Sequence, residues 1–241
     1  MVKPFLYAAC DTEYFKRHGY AFYKSAVQNG HRVFVDISPR NKTITKEDVQ
    51  FFTDFSNSFT DLEKELAVVP RIATGRYDLN VLEERAYFAC VRFLNIDEIL
   101  LKMNNVLVLD IDSIIMSEIE VDDSNPIGLY LRPNESSGMN VAAGAVFYKD
   151  LASTKEFIME TSEFIKHNPV KWFIDQYALF HAHNKCNIEY TDLSKTRLLD
   201  WDFQENTMIW TGKGARKDTN MTYLQKKREI DATFLNNQTK A

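Results

Sequence analysis

Asn105-Val106-Leu107-Val108-Leu109-Asp110-Ile111-Asp112-Ser113 is the stretch whose reading decides the fold. The apolar run Val106 to Leu109 is too short for a helix and has no polar alternation, the profile of a strand covered on both faces in the middle of a parallel sheet. Asp110 closes the run, and Ile114-Ile115 follows the acidic pair. The carboxylates therefore fall at a strand terminus, and the carboxyl ends of strands are where open α/β sheets bind ligands.

The flanking sequence supplies the rest of such a sheet. Upstream, Phe5 to Ala9 reads as a buried strand emptying into Cys10-Asp11-Thr12. A helix is expected from Tyr14 to Gln28, with Asn29-Gly30 as its stop, and then a second strand at Val33-Phe34-Val35. That β-α-β order opens a parallel sheet. Thr45-Lys46-Glu47-Asp48 carries helix-start chemistry, and a helical pattern runs from Asn80 to Leu94. Downstream, Ile127 to Leu131 and Val141 to Tyr148 read as strands around a Pro-Asn-Glu-Ser-Ser-Gly loop. Ser153-Thr154-Lys155-Glu156 reads as a capping box for a helix ending near His167, followed by a helix from Val170 to His183 and a strand from Asn187 to Tyr190. The tail from Thr219, with Lys226-Lys227-Arg228, reads as a solvated, loosely packed helix that frays. The expectation is one α/β domain over residues 1–241, its sheet mixed, mainly parallel and flanked by helices.

Composition narrows the function classes. With 8 Gly and 6 Pro in 241 residues there is little room for flexible linkers, and 45% hydrophobic residues can fill one substantial core. A net charge of −5 gives no field for a polyanion, which argues against nucleic acid as a partner. Cys10, Cys90 and Cys186 have no paired spacing and are expected to be buried thiols in a reducing, cytoplasmic setting. Neither a secretory apolar region nor an 18-residue apolar run is found, so no membrane span is expected.

On a continuing strand, Asp110 and Asp112 would point to one side and Ile111 to the other. Two carboxylates held close are ionised cheaply only with a cation or proton between them, and a hard divalent ion with oxygen ligands is the usual solution. Water and a substrate diphosphate would complete the shell of Mn²⁺ or Mg²⁺. Late in the chain, Thr211-Gly212-Lys213-Gly214-Ala215-Arg216-Lys217 reads as an anion site in which glycines let the backbone approach a phosphate and Lys213, Arg216 and Lys217 supply charge. Asp175-Gln176 lies in an almost wholly apolar helix pattern, where unsatisfied groups cost about 1–3 kcal/mol each and sugar hydroxyls are suitable partners. His181 and His183 differ by two, point to different helix faces and are expected to be structural.

These blocks, in this order, resemble the GT-A-fold glycosyltransferases, particularly the retaining galactosyl- and glucosyltransferases of the glycogenin type. Asp110-Ile111-Asp112 is similar to that family's D-x-D segment, and Tyr7-Ala8-Ala9-Cys10-Asp11-Thr12-Glu13-Tyr14 to its first strand and loop. The resemblance implies that Ala8, Ala9, Asp11 and Tyr14 hold the nucleoside. It puts Asp110, Ile111 and Asp112 at the nucleotide, the two carboxylates on the metal. Arg92, Lys213, Gly214 and Lys217 would meet the diphosphate, and Arg92 the donor sugar as well. Ala143 and Gly144 would pass under the sugar, with Asp175 and Gln176 on its hydroxyls as the catalytic pair. Ala142 stands where the family usually has Asn, and Thr211 where it has a metal-binding His.

The expectation is thus a single GT-A-like domain moving a hexose from a UDP-sugar, UDP-glucose or UDP-galactose favoured, to an acceptor the sequence does not identify. Two rivals stand beside it. One is a magnesium-dependent phosphohydrolase of the haloacid-dehalogenase type, which also carries D-x-D after an apolar strand, though normally at its start. The other is a non-catalytic sugar-nucleotide or glycan-binding module.

Overall fold

Leu6, Ala8 and Cys10 point to one side of strand β1 (Phe5–Asp11), Phe5, Tyr7 and Ala9 to the other, and all six are buried. The computed structural model describes residues 1–40, 43–73, 77–136 and 138–238, without the side chains of 233–238. Strand β4 (Val106–Leu109) repeats the pattern of β1, with Leu107 and Leu109 in one core cluster and Val106 and Val108 in the other. Covering both faces removes the need for polar alternation, which is why these strands read as unbroken apolar runs.

The remaining strands are β2 (Val33–Ser38), β3 (Arg71–Ile72), β5 (Ser113–Ile115), β6 (Ile127–Leu131), β7 (Val141–Tyr148), β8 (Tyr190–Asp192), β9 (Leu199–Asp200) and β10 (Ile209–Thr211). The main sheet has the order β3-β2-β1-β4-β7-β6-β8, and a small sheet has the order β5-β10-β9. Pairings β1–β2, β1–β4, β2–β3 and β6–β8 are parallel, whereas β7 runs antiparallel to both neighbours. The sheet is mixed and mainly parallel, as expected. One cluster packs under α1 (Thr12–Gln28) and α2 (Lys46–Asn57), the latter opened by a capping box from Thr45 to Asp48. Beyond α2 comes the short α3 (Asp61–Lys64). The other cluster packs under α4 (Glu84–Leu94), α5 (Ile96–Leu100), α6 (Leu151–His167) and α7 (Ile174–Lys185). The chain closes with α8 (Arg216–Thr219) and α9 (Met221–Gln238).

Several local expectations shift. Helix α6 is capped by Asp150, which accepts from Ser153 N–H at 2.8 Å, so the proposed box at Ser153 is already inside the helix. Helices α4 and α7 begin at Glu84 and Ile174, several residues after their patterns start, because Val81 and Val170 bridge to each other. The tail helix is not a solvated appendage, since Tyr223 and Ile230 are buried in the core cluster of α1. Ser137, in the loop between β6 and β7, lies outside the described residues. Cys10, Cys90 and Cys186 are free and buried. Among the described residues no helix is long and apolar enough to cross a membrane.

Candidate active site

Strand β4 does not continue through the acidic pair. The chain turns at once, Ser113 N–H donating to the Asp110 carbonyl at 3.2 Å, and leaves the main sheet for β5. Strand alternation therefore does not orient the carboxylates, and the turn replaces it as the device that holds both at the strand end. Each instead meets its own cation on a different element. Arg92, in the last turn of α4 and only 4% exposed, pairs with Asp110, donates to the Leu109 carbonyl at 3.1 Å and reaches Asp175 Oδ2 at 3.3 Å. Asp112 Oδ2 accepts from Tyr14 Oη at 2.7 Å and from Lys217 Nζ at 2.9 Å. The cations that relieve the carboxylate pair are thus supplied by the protein itself.

Glycines make the approach possible. Leu109 is opposite Ala145, so Gly144 lies just past the end of β4, and a Cβ built there would sit 2.9 Å from Asp110 Oδ2. At Gly212 a Cβ would meet the Lys217 Cβ at 2.5 Å, so the bare glycine lets α8 fold back and bring Lys217 to Asp112. Gly214 turns the loop at φ 62°, in the left-handed region, with nothing within 4 Å of its Cβ position.

The expected residues separate into those the fold brings together and those it does not. Asp110, Asp112, Tyr14, Arg92, Gly144, Asp175 and Lys217 converge on the turn through the contacts above. Gln176 follows Asp175 in the first turn of α7, and its Oε1 accepts from Arg132 at the end of β6. Lys213 lies over the Trp201 ring at 4.9 Å, and its pKa is lowered by burial and by Arg132. Ile111 is buried in the core and cannot meet a nucleotide through its side chain. Ala8 and Ala9 are interior to β1, in opposite core clusters and in register with Val35 and Asp36, while Ala143 is buried in β7. Asp11 caps α1, accepting from Tyr14 N–H at 2.9 Å, and pairs with Arg40 at 2.9 Å. Tyr14 has its hydroxyl on Asp112, and burial followed by the Asp112 charge drives its pKa far up.

Sequence reading missed Arg132, Arg40 and Tyr223. Tyr223 donates its hydroxyl to the Asp112 carbonyl at 2.8 Å, bracing the turn from behind. A charged residue closing an apolar strand was the available signal for Arg132, the same signal that Asp110 gave.

Among the buried polar atoms without a partner, Arg92 Nε, Ser113 Oγ and Thr211 Oγ1 lie at this turn, and Arg132 Nε and Asn140 Oδ1 flank the loop between β6 and β7. Ser113 and Thr211 are register partners across β5 and β10, flanking the end of the acidic turn. Such groups are costly unless something satisfies them, and a ligand rich in oxygens and hydroxyls would. Among the described residues no group of three or more His, Cys, Asp and Glu could hold a metal. Asp110 and Asp112 supply two carboxylates at the turn, so a hard divalent ion there would need its remaining oxygens from water or substrate.

At the level of sequence, no family model and no curated protein matches the chain. Solved structures do. The apo glycosyltransferase GlyE of Streptococcus pneumoniae TIGR4 superposes with a TM-score of 0.60 at 13% identity, covering 100% of this chain and 64% of that one. The apo bifunctional glycosyltransferase WbbM gives 0.57 at 12% identity, covering 97% and 49%, so this chain spans only about half of it. An active-site mutant of LgtC gives 0.53 at 12% identity over 95% of both chains, and the galactosyltransferase LgtC with donor and acceptor sugar analogs gives 0.50 at 10%. The chain thus has a GT-A-like glycosyltransferase fold, as its sequence blocks implied.

Proposed function

We propose that this chain is a glycosyltransferase that moves a hexose from a UDP-sugar, UDP-glucose or UDP-galactose first, onto an acceptor, in the cytoplasm. The observation that carries the reading is the acidic turn at the carboxyl end of the central strand, with Arg92 and Lys217 on its two carboxylates and the bare Gly144 beside it. The fold shared with glycosyltransferases supports it, one of them, LgtC, being known with donor and acceptor sugar analogs.

In sugar transfer the glycosidic bond to the diphosphate breaks and negative charge grows on the leaving nucleotide. Groups that meet that charge as it develops lower the barrier. Lys217 reaches the turn from α8 with 21% of its side chain exposed, so its ammonium can serve the diphosphate, and Lys213 adds charge from the same loop. Arg92 has a different task. It joins Asp110 at the turn to Asp175 at the head of α7, and so fixes where sugar and diphosphate lie relative to each other. Gln176 gives its carbonyl oxygen to Arg132 and keeps its amide N–H groups for a sugar hydroxyl. Asp110 and Asp112 would hold Mn²⁺ or Mg²⁺, which when bound supplies Lewis-acid neutralisation of the diphosphate.

A screen of nucleotides and nucleotide sugars by thermal shift and UDP release, with and without Mn²⁺, tests the reading. UDP and UDP-hexoses should raise the melting temperature above other nucleotides, by mass action on the native state, and one UDP-hexose should turn over. Phosphate release from phosphomonoesters would instead favour the phosphohydrolase, and binding without turnover of any sugar the non-catalytic module.

A further inference from the structure

Resting on the nucleotide-sugar reading, we propose that Lys217 is a placeholder cation on Asp112, which a divalent ion must displace, so that ion and diphosphate enter this site cooperatively. The cations on the acidic turn are not equivalent. Arg92 is 4% exposed and bound to three acceptors on two elements, so it is fixed. Lys217 has Asp112 as its ion-pair partner, at 2.9 Å, and extends on a flexible stem from the four-residue helix α8, which follows the left-handed turn at Gly214. Its ammonium also lies 5.0 Å from the centre of the Tyr14 ring, whose hydroxyl shares the same carboxylate oxygen.

A divalent ion arriving alone at Asp112 therefore meets an oxygen already holding two donors, with an ammonium beside it. Like charges on one carboxylate repel, and the ion binds only as Lys217 leaves. A diphosphate gives the departing ammonium a new anionic partner. The nucleotide thus assists the ion, and by linkage the ion assists the nucleotide by the same factor. Without Lys217 only the neutral Tyr14 hydroxyl remains on that oxygen, no ammonium has to leave, and the ion should bind alone.

The test is titration of Mn²⁺, followed by electron paramagnetic resonance of the free ion, into the full chain with and without UDP. Wild type should bind Mn²⁺ weakly alone and at least about tenfold more tightly with UDP, the size of an ordinary coupling. Lys217→Ala, and Lys217→Gln as a second variant with matched melting temperature, should bind Mn²⁺ alone at least about fivefold more tightly than wild type, and the gain from UDP should shrink to under about threefold. Lys217→Arg should stay weak, because it keeps the charge. Asp112→Asn should abolish binding, which ties the signal to this site. Neutral variants that bind Mn²⁺ no more tightly than wild type would overturn the placeholder, as would Mn²⁺ binding to none of the proteins. Failure of UDP to bind wild type under any condition would overturn the nucleotide reading itself, a separate result read from the same titrations.

Discussion

His18 shows how much strain one residue near the site carries. It lies on α1 beside Tyr14, ring centres 4.6 Å apart, buried and with neither nitrogen partnered. Burial first, then the charges of Lys227, Arg17 and Lys217, pushes its pKa down to about 3. The unfolded chain takes up a proton near pH 6.5 that the folded chain refuses until about 3, so stability falls as pH drops through that window. His18→Phe should remove this loss, leaving the variant about 2–3 kcal/mol less sensitive than wild type to a change from pH 7 to 4 by denaturant unfolding. Parallel pH profiles would contradict it. Among single residues, those the sequence singled out do find one another in two sets, Asp110 and Asp175 on Arg92 and Asp112 on Lys217. Their partners were not legible, because a tight turn replaces strand alternation at Asp110, and a sequence does not display which cation will reach which carboxylate.

Elements decide that choice, and Gly212 is where α8 is admitted to the site. A methyl group there would collide with Lys217 itself, 2.5 Å from its Cβ and 3.3 Å from its Cα. Gly212→Ala should displace α8, lower UDP affinity at least about fivefold, or roughly 1 kcal/mol, and leave uridine affinity unchanged, both read by calorimetry. Equal loss for both ligands would mean general distortion. Strand centres were readable because β1 and β4 are buried on both faces, and helix α2 because its cap is written in Thr45 and Asp48. Helix starts elsewhere misled. At α6 Asp150 outcompetes Ser153 as cap, and at α7 the chain enters through Phe173 in a left-handed conformation, φ 72°, that no propensity assigns to a phenylalanine.

For the molecule as a whole, the tail helix is the part whose importance sequence pattern concealed. Helix α9 presents Tyr223 and Ile230 to the core at isolated positions among charged residues, so its apolar stripe is too thin to stand out, yet Tyr223 braces the acidic turn from behind. We propose that 1–241 folds as one unit for this reason. Removing the chain from Met221 onward should cost at least about 3 kcal/mol in buried apolar surface and lower the melting temperature by about 6 °C or more. A truncated protein melting within about 2 °C of the full chain would show the tail to be dispensable.

We propose that sugar transfer from a UDP-hexose occurs at this turn, with the head of α7 on the sugar and the turn on the nucleotide. The direct measurement is UDP release from UDP-glucose and UDP-galactose by wild type and Gln176→Ala, with UDP affinity taken on the same samples. Wild type should release UDP from at least one of them. Gln176→Ala should keep UDP affinity within about threefold while turnover falls at least about tenfold, because the lost contact is on the transferred group. No release by wild type, or turnover and UDP affinity falling together in Gln176→Ala, would contradict it.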